Sequence, residues 1–218
     1  MSLVISKKNK LIFFHLPKNG GTSVSDLLLR NENYYYSWVI LSKILKKFNK
    51  KDNFFFDSFQ NKVHLFRSHE TVKSIEEKIS PKIFNNYFKF AIVRNPYSRF
   101  VSRYNYTKLI SNIPHLQFSE FVKKHVERVR GTSGMITDKQ YQFLLCKNGK
   151  IGVNKIFKLE NINNDINEIT NRTNINPEKF YKMNTSTHDN YKEYYDAETK
   201  KIVEQFCKED LNFFNYEF

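Results

Sequence analysis

The sequence predicts an α/β fold of three layers, α/β/α, in which a central parallel sheet lies between helices. Three observations carry that expectation. Short apolar runs of strand length alternate with segments of helical period along most of the chain. Two junctions, after Leu16 and after Val93, have the form strand, tight turn, helix. Strands separated by helices pair in parallel and are covered on both faces. With 218 residues, 40% of them hydrophobic and 16% aromatic, the chain can bury one sizeable core, so residues 1–218 are expected to form a single domain.

LIFFHL, Leu11 to Leu16, is a short apolar and aromatic run bounded by Pro17 and two glycines, and is expected to be the first strand. Val24, Leu27 and Leu28 then fall at helical spacing, with Ser23 and Asp26 as a capping pair. A helix is expected around Trp38 to Phe48 and a strand at KVHLF, Lys62 to Phe66. FAIV, Phe90 to Val93, reads as a strand leading through Arg94 and Asn95 to Pro96, which suits the first turn of a helix carrying Tyr97, Phe100, Val101 and Tyr104. Amphipathic segments follow at Phe118 to Val129, Asp138 to Leu145 and Asp165 to Thr170. Ile156 to Glu160 reads as a further strand and Asp196 to Lys208 as a closing helix. Phe48 to Asp57 reads as a surface excursion and Arg130 to Asp138 as a flexible loop.

Lys and Arg outnumber Asp and Glu by 36 to 22, a formal charge of +14, so the long-range field attracts anions. That balance suits nucleotides, acidic glycans, nucleic acid or peripheral association with anionic surfaces, and does not choose among them. Cys146 and Cys207 are too far apart for a redox pair or zinc knuckle, and two thiols make no disulfide scaffold, so a reducing compartment is the simpler expectation. A first strand at Leu11 leaves no room for a secretory signal, and no apolar stretch is long enough for a bilayer. The expected location is cytoplasmic.

PKNGGTS, Pro17 to Ser23, joins the first strand to its helix. A glycine-rich turn there lets backbone N–H groups face outward, and the helix N-terminus adds positive potential, which together favour phosphate. Gly20 and Gly21 permit close approach, Thr22 and Ser23 add hydroxyls, and Lys18 adds a cation. An ordinary turn would use the same glycines and hydroxyls for geometry alone. The order differs from that of the nucleoside-triphosphatase loop, in which lysine follows the glycines, and no clear acidic partner for magnesium is present. In VRNPYSRFVSRY, Val93 to Tyr104, Arg94 can offer a forked charged donor at a strand end and Ser102 a hydroxyl from the following helix.

These segments resemble the sulfotransferases that use 3′-phosphoadenosine 5′-phosphosulfate (PAPS). PKNGGTS is similar to the 5′-phosphosulfate loop of the carbohydrate sulfotransferases, of the heparan-sulfate 2-O-sulfotransferase kind, which reads Pro-Lys-Thr-Gly-Gly-Thr-Ser; Asn19 replaces the threonine. The Arg94 to Ser102 segment resembles the family's 3′-phosphate element, Arg-Asp-Pro followed by Arg and Ser-x-Tyr, with Asn95 in place of aspartate. Lys182 to Phe218 resembles the C-terminal pattern, a polar segment near the nucleotide and then a Tyr-rich stretch, a helix and a terminal Asp-Leu with aromatics. The resemblance implies a P-loop-like sulfotransferase fold, PAPS as donor, 3′,5′-adenosine diphosphate (PAP) as product and no required metal. It implies donor contacts from Lys18, Asn19, Gly20, Gly21, Thr22, Ser23, Arg94, Ser102, Thr185 and Ser186.

Sulfuryl transfer needs a group to take the acceptor's proton and a group to stabilise the departing phosphate oxygen. Lys18 is expected in the second role. Histidine suits the first, and the chain has six. His69 follows the Lys62–Phe66 strand at the edge where parallel-sheet sites open, and resembles in position the base histidine of related glycan sulfotransferases. His64, inside that strand, and His15, before the loop, read as packed or supporting residues. His115, His125 and His188 read as loop or solvated-helix residues, with His188 kept because it follows the polar tail segment. Glu70 is the non-histidine alternative. The expected acceptor is a polar molecule, in the first place a glycan hydroxyl. The competing readings are a magnesium-dependent kinase or hydrolase of P-loop type and a non-catalytic nucleic-acid binder using the basic charge and aromatics for stacking; no nucleic-acid module is recognisable, and no nucleic-acid partner is expected.

Overall fold

The computed structural model describes residues 3–31, 56–57, 63–66, 69–131, 138–173 and 190–218. Six strands form one sheet: β1 (Leu3–Ser6), β2 (Leu11–Phe14), β3 (Phe56–Asp57), β4 (Val63–Phe66), β5 (Phe88–Val93) and β6 (Lys155–Lys158), in the order β3-β4-β1-β2-β5-β6. The α/β class and the two covered faces match expectation, but the sheet is mixed. Only β2–β5 and β5–β6 are parallel, while β1–β2, β1–β4 and β3–β4 are antiparallel.

The difference comes from a hairpin ahead of Leu11. Leu3–Ser6 is buried along its length and pairs with β2 from Leu3↔Phe14 to Ser6↔Leu11. The turn between them ends at Lys10, whose φ of 48° is left-handed. A strand covered on both faces lacks the polar alternation that marks a half-exposed one, and KKNK carries no glycine to announce a hairpin. The chain therefore reverses direction once before the first strand-to-helix unit begins. Phe56–Asp57 pairs with β4 at the sheet edge, so that part of the expected surface excursion is a short strand. The helix expected around Trp38 to Phe48 lies outside the described residues.

Alternation along each strand divides the core. Val4, Leu11, Phe13, Phe90, Ile92 and Phe157 face α1 (Gly21–Asn31) and a helix at Ile162–Thr173. Leu3, Ile5, Ile12, Phe14, Ala91 and Val93 face the opposite way, against helices Val72–Lys78 (α2) and Pro81–Asn86 (α3) and the segments holding Phe143 and Phe214. Burying each such side chain stabilises the fold by about 1.5–3 kcal/mol relative to exposure. A third apolar cluster joins α4 (Pro96–Ser111), α5 (Phe118–Gly131) and the closing helices through Tyr97, Phe100, Val101, Tyr104, Val122 and Val203.

Two helix starts decide the site. Pro96 stands in the first turn of α4, as expected, and the Asn95 side chain accepts from Tyr97 N at 3.0 Å and caps the helix. In contrast, α1 starts at Gly21, so Ser23 and Asp26 are buried inside the helix rather than at its N-cap position, and Ser23 N donates to Gly20 O at 3.1 Å. Farther on, the expected Asp138–Leu145 helix shrinks to α6 (Gln140–Phe143), and β6 ends at Lys158 before a 3₁₀ turn at Leu159–Asn161. The helix Ile162–Thr173 is α7, and the closing helix is two, α8 (Ala197–Phe206) and α9 (Lys208–Phe214), meeting at Cys207. Cys146 and Cys207 are both free thiols. Among the described residues no helix is long and apolar enough to cross a membrane.

Candidate functional site

β2 and β5 are adjacent and parallel, with Phe14 opposite Ala91, so the loops that leave their C-terminal ends emerge side by side. That crevice is where open α/β sheets hold ligands. Three hydrogen bonds join the first loop to the β5–α4 unit. Asn19 Nδ2 donates to Ile92 O at 2.8 Å, Arg94 Nη1 to Lys18 O at 3.3 Å, and Arg99 Nε to Pro17 O at 3.1 Å.

The first loop turns through two left-handed residues, Lys18 at φ 67° and Gly20 at φ 69°. For lysine that conformation costs roughly 1–2 kcal/mol, held here by the bonds just described. The N–H groups of Gly21 and Thr22, in the first turn of α1, have no protein hydrogen-bond partner among the described residues. Both glycines are packed tightly. A Cβ on Gly20 would meet Leu159 Cδ1 at 2.5 Å, and one on Gly21 would lie 2.1 Å from His15 Cδ2. Gly21→Ala is therefore expected to drive the His15 ring out of place and destabilise the protein by about 1–3 kcal/mol; an unchanged urea midpoint would show that the ring yields freely.

Cations converge on this loop. The Lys18 ammonium lies 4.1 Å from the centroid of the Tyr106 ring, and burial together with the Arg94 and Arg103 charges pulls its pKa down to about 8. Arg94 is tied to Ser98 Oγ through Nε at 3.0 Å and Nη2 at 2.8 Å, and burial lowers its pKa while the Glu160 carboxylate opposes that shift. Arg103 pairs with Asp138, and burial and Arg99 bring its pKa down to about 10. Like charges this close raise one another's cost, and an anion among them relieves it.

Behind the cradle, Gln140 is fully buried and reaches both loops. Its Oε1 accepts from Asn19 Nδ2 at 2.7 Å and Arg94 N at 2.9 Å, while Nε2 donates to Arg94 O at 2.8 Å. Glu160 Oε1 accepts from Asn95 N at 2.8 Å and Oε2 from the Tyr216 hydroxyl at 2.8 Å. On the other side of the first loop, His69 Nδ1 is 3.0 Å from His15 O. A carbonyl can only accept, so this bond fixes the proton on Nδ1 and leaves Nε2 with its lone pair. Burial is the main cause lowering the His69 pKa; the His15 carbonyl opposes it, and Arg103 and Arg99 reinforce it.

Comparison with known proteins decides the lineage. A family model described as the sulfotransferase family matches residues 1–217. The chain belongs to the sulfotransferase family. An uncharacterized protein of Archaeoglobus fulgidus is 31% identical over 118 residues, which cover 54% of this chain and 93% of the relative. No solved structure matches. Sulfuryl transfer is the family's general activity, and its members generally use PAPS as donor.

In this sulfotransferase the predicted residues fall as follows. Lys18, Gly20, Gly21, Thr22, Arg94 and His69 gather around the crevice. Asn19 is there too, but its buried amide is committed to Ile92 and Gln140, so its side chain braces the loop. Ser102 is half-buried on α4; the hydroxyl that Arg94 holds belongs to Ser98, one turn earlier on the same helical face. Thr185, Ser186 and His188 lie outside the described residues. Glu70 is already engaged, accepting from Ser74 Oγ at 2.6 Å and Lys78 Nζ at 2.7 Å, which disfavours it as a base. His115 is exposed as expected, whereas His125 is buried between Phe100 and Phe121, 3.5 Å from Asp138. His64 lies in β4 as expected.

Proposed function

We propose that the chain transfers the sulfuryl group of PAPS to a hydroxyl of a carbohydrate or similar polar acceptor. The observation that carries this reading is the union of two segments, PKNGGTS and the Arg94 helix start, into one cationic crevice through Arg94 Nη1 and Lys18 O. The residues fit a donor with phosphate at both ends: helix N–H groups, Thr22 and Lys18 for the 5′ end, and Arg94 with its serines for the 3′ end. When bound, that donor supplies an activated sulfuryl group on a phosphate oxygen.

The chain's own residues supply the rest. His69 Nε2 accepts the proton of the acceptor hydroxyl, with Nδ1–H anchored on His15 O. The Lys18 ammonium offers an N–H to the negative charge on the phosphate oxygen that is released. The +14 formal charge favours an acidic glycan as acceptor over a neutral one.

A thermal shift with PAP set against ATP plus magnesium tests the donor. PAP is expected to raise the melting temperature, because a ligand that binds the native state stabilises it. Stabilisation by magnesium-ATP alone would favour a kinase, and steep salt-dependent oligonucleotide binding without any PAP response would favour a nucleic-acid binder. Arg94→Ala is expected to weaken PAP by about ten- to a hundredfold, the value of charge-assisted bonds to one phosphate. Calorimetry showing normal PAP affinity in that variant would remove Arg94 from the donor site.

A further inference from the structure

We infer that Gln140, held in place by Asp210, is a positioning residue that sets the spacing between the two donor-binding segments. The inference rests on the PAPS reading above and assigns Gln140 no contact with the donor. Three features of the geometry point to it. Gln140 lies 121 residues from Asn19 and 46 from Arg94 in sequence, yet its one side chain bonds to both. Three of its four amide hydrogen-bonding positions serve the two segments: Oε1 takes two donors, one from each, and Nε2 returns a bond to Arg94 O. It is wholly buried, so its bonds do not compete with bulk water and their loss costs the partner groups their pairing.

Its own position is fixed from behind. Asp210 Oδ2 accepts from Gln140 N at 2.9 Å and Oδ1 from Tyr141 N at 2.8 Å, so the buried carboxylate caps the start of α6 with both oxygens. The chain of contacts runs Asp210, Gln140, then Asn19 on one side and Arg94 on the other. Asn19 Nδ2 also donates to Ile92 O, which ties the loop to the C-terminal end of β5. A ligand that reaches both segments gains from their fixed separation, because its second phosphate binds as if at high local concentration. A ligand that reaches only one segment does not.

This difference supplies the test. Calorimetry on the full chain would compare PAP, 5′-AMP and 3′-AMP in the wild type and in Gln140→Leu, which keeps the bulk and removes all three side-chain bonds. PAP affinity is expected to fall by about tenfold or more, with 5′-AMP and 3′-AMP changing by less than about threefold each. Gln140→Glu keeps an acceptor for Asn19 and Arg94 N and is expected to recover part of the PAP affinity. Should Gln140→Leu not fold, Gln140→Glu is put through the same three-ligand comparison, with the same selective loss expected at smaller size. Unchanged PAP binding, or equal losses for all three ligands, overturns the inference. A wild type that binds PAP no better than either monophosphate overturns the donor reading, and this inference with it.

Discussion

His69→Ala is expected to lower sulfuryl transfer by ~10²–10⁴-fold, the usual contribution of a positioned general base, while PAP affinity stays intact. The argument is geometric before it is electrostatic. His69 Nδ1 is anchored on the His15 carbonyl, and His15 directly precedes the Leu16–Pro17 entry to the binding loop, so base and loop share one backbone segment. Burial holds the imidazole below its ordinary pKa of 6.5, so it is neutral and able to accept a proton at pH 7. The acid limb of the rate profile should therefore have its midpoint below the 6.5 of an ordinary imidazole. Turnover by His69→Ala at the wild-type rate would assign the proton to another group.

Lys18→Met is expected to cost ~10²–10³-fold in turnover, on the scale of losing one charge-stabilising donor. Methionine preserves the length of the stem, so loop packing changes little and the loss is electrostatic. The same ammonium gives a second, independent readout. Its pKa in the ligand-free protein is about 8, so it is charged at pH 7 and mostly neutral at pH 9. PAP affinity in the wild type should weaken across that interval. In Lys18→Met this alkaline limb should vanish, and its survival there would show that the titrating group is not Lys18.

Much of this site is legible in the sequence because its parts are local. Gly20, Gly21 and Lys18 announce a tight strand-to-helix turn within a few residues, and Pro96 announces a helix start. The hairpin at Leu3–Ser6 is not legible, since a fully buried four-residue strand leaves no alternation to read. Burial explains the other surprises as well. The family resemblance implies Arg94 and Ser102 together on the 3′-phosphate, and says nothing of Ser98, which the structure bonds to the Arg94 guanidinium one helical turn before Ser102. Gln140, Asp210 and Glu160 act across 46 to 121 residues of separation, and no local pattern encodes such a partner. His125 carries helical spacing on an otherwise charged segment, and only packing against Phe100 and Phe121 shows that it points inward.

The bond from Asp210 to Gln140 also bears on the order of assembly. A growing polypeptide has both anion loops in hand by Tyr104, but the residue that fixes their separation comes at 140 and its own anchor at 210. In a chain made from its N-terminus the brace between the loops is therefore completed only when Asp210 is added, and loss of that one carboxylate is expected to loosen the brace while the core around Leu211 and Phe214 keeps its packing.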